Sequence, residues 1–198
     1  MVLSQFNIYL AGVGGQGIGL ISEIILRAAD HAGHPVKGVD THGLAQRGGI
    51  VVSQIRIGQD VHSPLIPAGR ADLVVALERH EALRAIVGAL KTGGTLVYYN
   101  TVWQPLPVRL GSEKQVSKET VSDACNRRQI KEYPVLKPDL TDPHMQNIAV
   151  LAVIDQESLI PGIKTGHFIT AMEDLMAGDM LAGNRRLFQD RKGLTAGP

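Results

Sequence analysis

Cysteine is all but missing from this chain: Cys125 is the only one in 198 residues. One cysteine excludes an intrachain disulfide, and by itself it cannot hold an iron–sulfur cluster or a thiolate zinc site, so any such centre would belong to another chain. An excess of charge of one sign is also missing. Twenty basic and 19 acidic residues are mixed along the sequence for a net charge of +1, which gives no electrostatic footprint for nucleic acid or an anionic membrane. No apolar run reaches the roughly 18 residues that a bilayer span requires, and no charged n-region followed by an h-region opens the sequence. The expected location is therefore cytoplasmic. Repeats, low-complexity tracts and linkers are absent as well. What remains is a hydrophobic content of 44% on a chain long enough for one substantial core, so residues 1–198 are expected to form a single domain.

The most informative segment is Asn7-Ile8-Tyr9-Leu10-Ala11-Gly12-Val13-Gly14-Gly15-Gln16-Gly17-Ile18, an apolar run that passes into glycines and then into a helical pattern. Gly12, Gly14 and Gly17 satisfy G-x-G-x-x-G, where glycines permit a tight turn, close approach to a ligand and close helix–strand packing. Amides opening the next helix would favour an anionic group. The competing reading is a tight βα turn with no ligand.

Residues 18–32 place Ile21, Ile24, Ile25 and Ala28 at helical spacing, with Gly33 as a stop. A short strand is expected at 36–39, another at 50–57, a continuous apolar strand at 72–77 and a further one at 95–99, with a helix at 81–90 closed by Gly93-Gly94. Such alternation implies an α/β fold with a doubly wound, Rossmann-like, mostly parallel sheet and flanking helices. Beyond residue 105 the pattern loosens into a polar, partly helical stretch. A buried helix at 145–154 and amphipathic helices at 165–177 and 180–189 follow.

A second loop, His42-Gly43-Leu44-Ala45-Gln46-Arg47-Gly48-Gly49, precedes a strand and should lie beside the first at one end of the sheet. Arg47 suits a carboxylate or phosphate, and Gln16 and Gln46 offer both donors and acceptors. Equally, Arg47 pairs with a nearby acid and Gly48 and Gly49 only bend the chain. The histidines, His31, His34, His42, His62, His80, His144 and His167, show no metal-site arrangement. Gly88 and Gly93 have phosphate-loop spacing, but Gly94 stands where the lysine is required. Cys125 sits among Asn126, Arg127 and Arg128, whose charges favour a thiolate, yet with no partner base an ordinary thiol is the better reading. Trp103 is either core or an interface anchor.

Two blocks together resemble a known family: Gly12-Val13-Gly14-Gly15-Gln16-Gly17-Ile18, and Asp40-Thr41-His42-Gly43-Leu44-Ala45-Gln46-Arg47-Gly48-Gly49 before Val51-Val52-Ser53-Gln54-Ile55-Arg56. They are similar to the gamma domain of 2-oxoacid:ferredoxin oxidoreductases, most like the small subunit of the indolepyruvate type, over residues 6 to about 100. Further on, Asn147 precedes an apolar helix as in relatives. The resemblance implies a non-autonomous subunit. Thiamine diphosphate and iron–sulfur clusters would be carried by partner subunits, which oxidise a 2-oxoacid to an acyl-CoA and pass electrons to ferredoxin. This chain would bind none of these cofactors alone, would help admit coenzyme A, and would supply no catalytic residue or metal ligand. Gly12, Gly14, Gly15, Gln16 and Gly17 would form a cofactor- or partner-facing turn, with Gln46, Arg47, Gly48 and Gly49 as its second wall. When isolated, such a chain is expected to self-associate through surface meant for a partner.

Two alternatives stand beside it. A nicotinamide-dependent dehydrogenase is supported by Gly12, Gly14 and Gly17, and by Asp40, 23 residues beyond Gly17, near where an NAD-binding fold keeps its ribose-binding acid. Against it, Tyr133 and Lys137 have Tyr-x-x-x-Lys spacing, but Pro134 and Pro138 disfavour a shared helix. A nucleotide-sensing module without catalysis is the other.

Overall fold

The computed structural model describes residues 3–42, 49–103, 115–140, 142–190 and 194. Its elements are β1 (Phe6–Val13), α1 (Ile18–His31), β2 (Val36–His42), β3 (Ile50–Ile57), β4 (Ala71–Ala76), α2 (Arg79–Gly88), β5 (Leu90–Tyr99), α3 (Lys118–Arg127), β6 (Lys131–Val135), α4 (Gln146–Gln156), α5 (Thr165–Leu175) and α6 (Gly178–Gln189), with a 3-10 turn at Pro143–Met145. No described helix is long and apolar enough to cross a membrane.

The strands form one sheet in the order β2-β3-β1-β4-β5-β6. β1, β4, β5 and β6 run parallel to their neighbours in that series, and the expected mostly parallel α/β sheet is present. It is not wholly parallel, because β3 is antiparallel to both β1 and β2. The connection between β2 and β3 explains this. Only residues 43–49 separate the two strands, fewer than the dozen or more that the crossover to a parallel neighbour would need. β2 also runs on to His42, beyond the expected end at Val39, because each of its residues has a partner on β3.

That insertion removes Asp40 from the dehydrogenase position. β3 separates β2 from β1, so Asp40 lies two strand spacings, about 10 Å, from the strand that leads into the glycine loop. It takes a hydrogen bond from the Ser22 hydroxyl at 3.3 Å on the α1 side.

Apolar residues on one sheet face, among them Ile8, Leu10, Ile55, Leu73, Val75, Val97 and Val135, pack with α1, α4, α5 and α6 into the larger core. α4 lies inside it, with every residue from Gln146 to Asp155 buried. Each fully buried Ile or Leu contributes about 1.5–3 kcal/mol relative to exposure. The opposite face carries a smaller core of Val74, Ala76, Leu96 and Tyr98 under α2 and α3. Cys125 belongs to it.

Burial and the nearby Glu132 push the Cys125 thiol up to about 12, so the flanking arginines do not activate it. Labelling with a maleimide is expected to require global unfolding. Reaction of the native chain within minutes at pH 7 would contradict this placement.

Gly93 and Gly94 do not close a helix. α2 ends at Gly88, and the pair lies within β5 beside a register shift between β4 and β5. There Gly93, at φ +72°, donates its amide to the Arg128 carbonyl at 3.0 Å. Tyr133 sits on β6 and Lys137 follows it, its ammonium 3.4 Å from Asp190 and 3.5 Å from Asp139. No helix presents the two together.

Candidate binding cleft at the glycine loop

β1 and β4 are adjacent and parallel, yet α1 covers one sheet face and α2 the other. This is a topological switch point, the place where open α/β sheets leave a crevice outside the carboxyl ends of the strands. Residues 12–17 occupy it.

The loop is held by its own side chains and by two distant segments. Gln16 is fully buried. Its Oε1 accepts the Val13 amide at 2.7 Å, and its Nε2 donates to the Leu77 carbonyl at 3.0 Å. The expectation that Gln16 faces a ligand or partner is therefore corrected: both ends of the amide are spent on tying β1 to the end of β4. Gly14 donates its amide to the Gly49 carbonyl at 2.9 Å, so the two glycine segments do meet. Gln46, Arg47 and Gly48 lie outside the described residues.

The glycines have separable reasons. A Cβ on Gly12 would stand 2.9 Å from the Ile18 side chain and 3.0 Å from Gln16 Oε1, so glycine lets α1 close down on β1. Gly17 caps α1 at φ +83°, and a Cβ there would lie 2.4 Å from Asn147 Nδ2. Gly15, at φ +97°, has open space on its Cβ side. Among the described residues no side chain caps α1, whose N-cap is Gly17, so its first amides are open to an outside acceptor.

Asn147 is the long-range partner of the loop. It is buried at the start of α4, donates from Nδ2 to the Gly17 carbonyl at 3.3 Å and accepts the Ile148 amide at 2.8 Å. Ahead of it, Asp142 caps the 3-10 turn: its Oδ1 lies 2.8 Å from both the His144 amide and His144 Nδ1. Those two bonds hold the Asp142 carboxyl below the usual carboxylate range. In the sequence Asn147 stood out only as the residue ahead of an apolar helix, and neither Asp142 nor His144 was marked as part of a site. The signal present was Asp-Pro-His, an acceptor followed by a proline in the first turn.

These parts enclose a cleft of about 490 Å³ lined by Gly15, Gly17, Leu20, Met145, Asn147 and Met180, with Asp142, His144, Asp179, Gly183 and Asn184 completing it. It offers backbone donors, an imidazole fixed at one nitrogen, and apolar walls. That set suits binding and orientation. Cys125 is a residue of α3, buried in the core on the opposite sheet face, so it supplies no nucleophile here.

At the other side of the switch point, Glu78 is buried at the end of β4, where Oε1 accepts the Glu81 amide at 2.5 Å and caps α2. Burial raises its pKa against the lowering effect of the backbone donors. A group whose folded-state pKa is raised adds stability that is complete below the unfolded carboxylate range and fades as pH rises through the folded value. Glu78→Gln keeps the cap acceptor and is expected to remove that slope. Its melting temperature should exceed that of the unmodified chain increasingly from pH 5 to pH 8; a constant difference would contradict it.

Comparisons with known proteins agree with this architecture. A family model described as "Pyruvate ferredoxin/flavodoxin oxidoreductase" matches residues 7–190. The indolepyruvate oxidoreductase subunit IorB of Archaeoglobus fulgidus is 52% identical over 97 residues, a stretch that spans about half of each chain: 49% of this one and 47% of the relative. Its counterpart from Methanothermobacter thermautotrophicus is 30% identical over 97% of this chain and 98% of its own. Among solved structures, the gamma subunit of keto/oxoacid ferredoxin oxidoreductase from Geobacter sulfurreducens aligns with TM-score 0.61 at 20% identity, over 93% of this chain and 94% of that one. The 2-oxoglutarate:ferredoxin oxidoreductase of Magnetococcus marinus, solved with 2-oxoglutarate, coenzyme A and succinyl-CoA bound, aligns with TM-score 0.69 at 19% identity over 96% of this chain but 31% of that one. Because the family match takes in the glycine loop, Asn147 and nearly every described element, the chain belongs to the pyruvate ferredoxin/flavodoxin oxidoreductase family.

Proposed function

We propose that this chain is the gamma-type subunit of a 2-oxoacid:ferredoxin oxidoreductase, with indolepyruvate the favoured 2-oxoacid, and that the cleft beside residues 12–17 helps admit coenzyme A. Thiamine diphosphate and the iron–sulfur clusters reside on partner subunits in this reading, and electrons leave through those partners to ferredoxin. One buried cysteine does not fit a cluster, which agrees with that division. The site residues proposed are Gly15 and Gly17 with the first amides of α1, Asn147 as the side chain that holds the loop, and His144 at the rim. Residues 46–49 remain a proposed second wall. The work is cytoplasmic, and neither nucleic acid nor membrane enters it.

The observation that carries this reading is the pairing of a family match through residues 7–190 with a cleft whose described lining combines a glycine turn with apolar Leu20, Met145 and Met180 and holds no serine, cysteine or lysine. A cleft of this kind positions a substrate for chemistry performed elsewhere. The displacement of Asp40 by β3 weighs against a nicotinamide site.

Anaerobic affinity purification from the native cells tests it. Recovery of a larger chain with iron and thiamine diphosphate in the same fraction is the expected result. Recovery of the chain alone, free of both, would overturn the subunit reading.

A further inference from the structure

Asn7 and Arg56 stand directly opposite each other in the β1–β3 register. Their neighbours Ile8 and Ile55 point into the larger core, so these two side chains share the other sheet face. Asn7 is only 4% exposed, and a buried amide must find partners for both of its ends. It does so by ordering the residues around it. Its Oδ1 accepts from Arg56 Nε and from Gln5 Nε2, each at 3.0 Å, its Nδ2 donates to the Arg70 carbonyl at 2.9 Å, and its backbone amide donates to Asp72 Oδ2 at 2.8 Å. Arg56 is fixed a second time, by bonds from Nη1 to the Ser63 and Leu65 carbonyls at 2.9 and 3.2 Å.

These residues surround a pocket of about 470 Å³ that Pro67 and Lys91 complete. It lies at the amino end of β1, a strand of eight residues, and so about 24 Å from the glycine loop at the other end. It is a separate site from the cleft.

Charge in this pocket does not balance. Arg56, Arg70 and Lys91 line it with a single acid, Asp72. Lys91 and Asp72 form an ion pair and cancel. The bonds that hold Arg56 all go to neutral oxygens, and among the described residues no acid pairs with the guanidinium of Arg56 or of Arg70. Two guanidiniums thus line one concave space with nothing of opposite sign, and a buried side chain holds one of them in place. A doubly charged oxyanion suits that arrangement. Guanidinium N–H groups match phosphate oxygens, and a phosphate ester of a hydroxyl carries a charge of about −1.5 to −2 at pH 7. A carboxylate brings a single charge and would leave the pair half-neutralised.

We propose that the pocket at the amino end of β1 binds a phosphate monoester, with the Arg56 and Arg70 guanidiniums donating to its phosphoryl oxygens. The assignment is independent of the subunit reading and of the cleft. Only the backbone of Arg70 is bonded within the fold, so Arg70→Gln and Arg70→Glu change the charge without disturbing Asn7. Binding is read on the purified full chain, from the dependence of its melting temperature on glycerol phosphate, on a phosphoserine tripeptide or on acetate, with chloride holding the ionic strength constant. The phosphate probes are expected to raise the melting temperature saturably, by about 3–6 °C at ten times the dissociation constant, and acetate to match chloride. Arg70→Gln is expected to weaken the fitted affinity at least about tenfold and Arg70→Glu to abolish the shift, with Arg27→Gln, an exposed position on α1, within about twofold of the unmodified chain. The two phosphate probes separate a free ester from a phosphorylated partner: the tighter one names the source, and either bears the site out. No saturable shift with either probe, an equal shift with acetate, or a shift that Arg70→Gln leaves unchanged overturns the site and leaves the subunit reading intact.

Discussion

Gly17→Ala is expected to destabilise the chain by about 3–5 kcal/mol and to lower its melting temperature by about 6–20 °C. Two costs combine. Alanine at φ +83° carries a left-handed penalty of about 1–2 kcal/mol. Its Cβ would also stand 2.4 Å from Asn147 Nδ2, and moving that buried amide breaks its bonds to the Gly17 carbonyl and the Ile148 amide. The second cost is separable by a double-mutant cycle. In an Asn147→Ala background the Gly17→Ala penalty should shrink to about 1–2 kcal/mol, because only the backbone strain remains. Strict additivity in urea unfolding would mean that Asn147 does not press on the loop. Gly15→Ala is the comparison, since it has the positive φ without the obstruction and should cost only the left-handed penalty.

Gln16→Leu is expected to cost about 2–5 kcal/mol, because it leaves the Val13 amide and the Leu77 carbonyl buried without their partner. Shape is nearly conserved, so packing does not account for the loss. Gln16→Glu gives a sharper result. One oxygen can still accept from Val13, but the atom facing the Leu77 carbonyl must carry a proton to donate. The folded-state pKa of that carboxyl is therefore raised. Its stabilising contribution is complete below the unfolded value of about 4.3 and is lost as pH rises through the folded one. A melting temperature that falls between pH 4 and pH 8 more steeply than that of the unmodified chain is the expected result. Parallel curves would show that the Leu77 bond contributes little.

Both predictions concern residues whose type was visible in the sequence and whose job was only partly so. The apolar run through Val74 and Val75 marks a strand buried on both faces, and the spacing of Ile21, Ile24, Ile25 and Ala28 marks α1, because local periodicity alone decides such elements. The place of β3 was not legible. Its alternating pattern suits any half-buried strand, and insertion between β1 and β2 depends on pairing between segments about 40 residues apart. That one placement is what makes Asp40 a misleading ribose acid. Gly93-Gly94 misled in the same way: two adjacent glycines read as a helix stop, whereas the chain spends them on an irregular parallel strand beside α3.

At the cleft, the glycines were legible because their backbone demand is local. Gln16 was not, because a buried glutamine with both ends satisfied and an exposed one offering both ends to a ligand have the same sequence. Asp142 and His144 reach the loop only through the packing of α4 against α1, contacts that join the first sixth and the last third of the chain. The site is assembled by the larger core, and local pattern carries no trace of that.

The most direct test of the central claim, that this chain completes an oxidoreductase whose chemistry is carried by its partners, is anaerobic reconstitution. The partner subunits, stripped of this chain, are supplied with indolepyruvate, coenzyme A and oxidised ferredoxin, and acyl-CoA formation is followed as the purified chain is added. The account predicts little product from either component alone and turnover that rises to saturation as the chain is titrated in. Full activity of the partners without it, or oxidation of a substrate by the chain alone with a nicotinamide cofactor, would contradict the account.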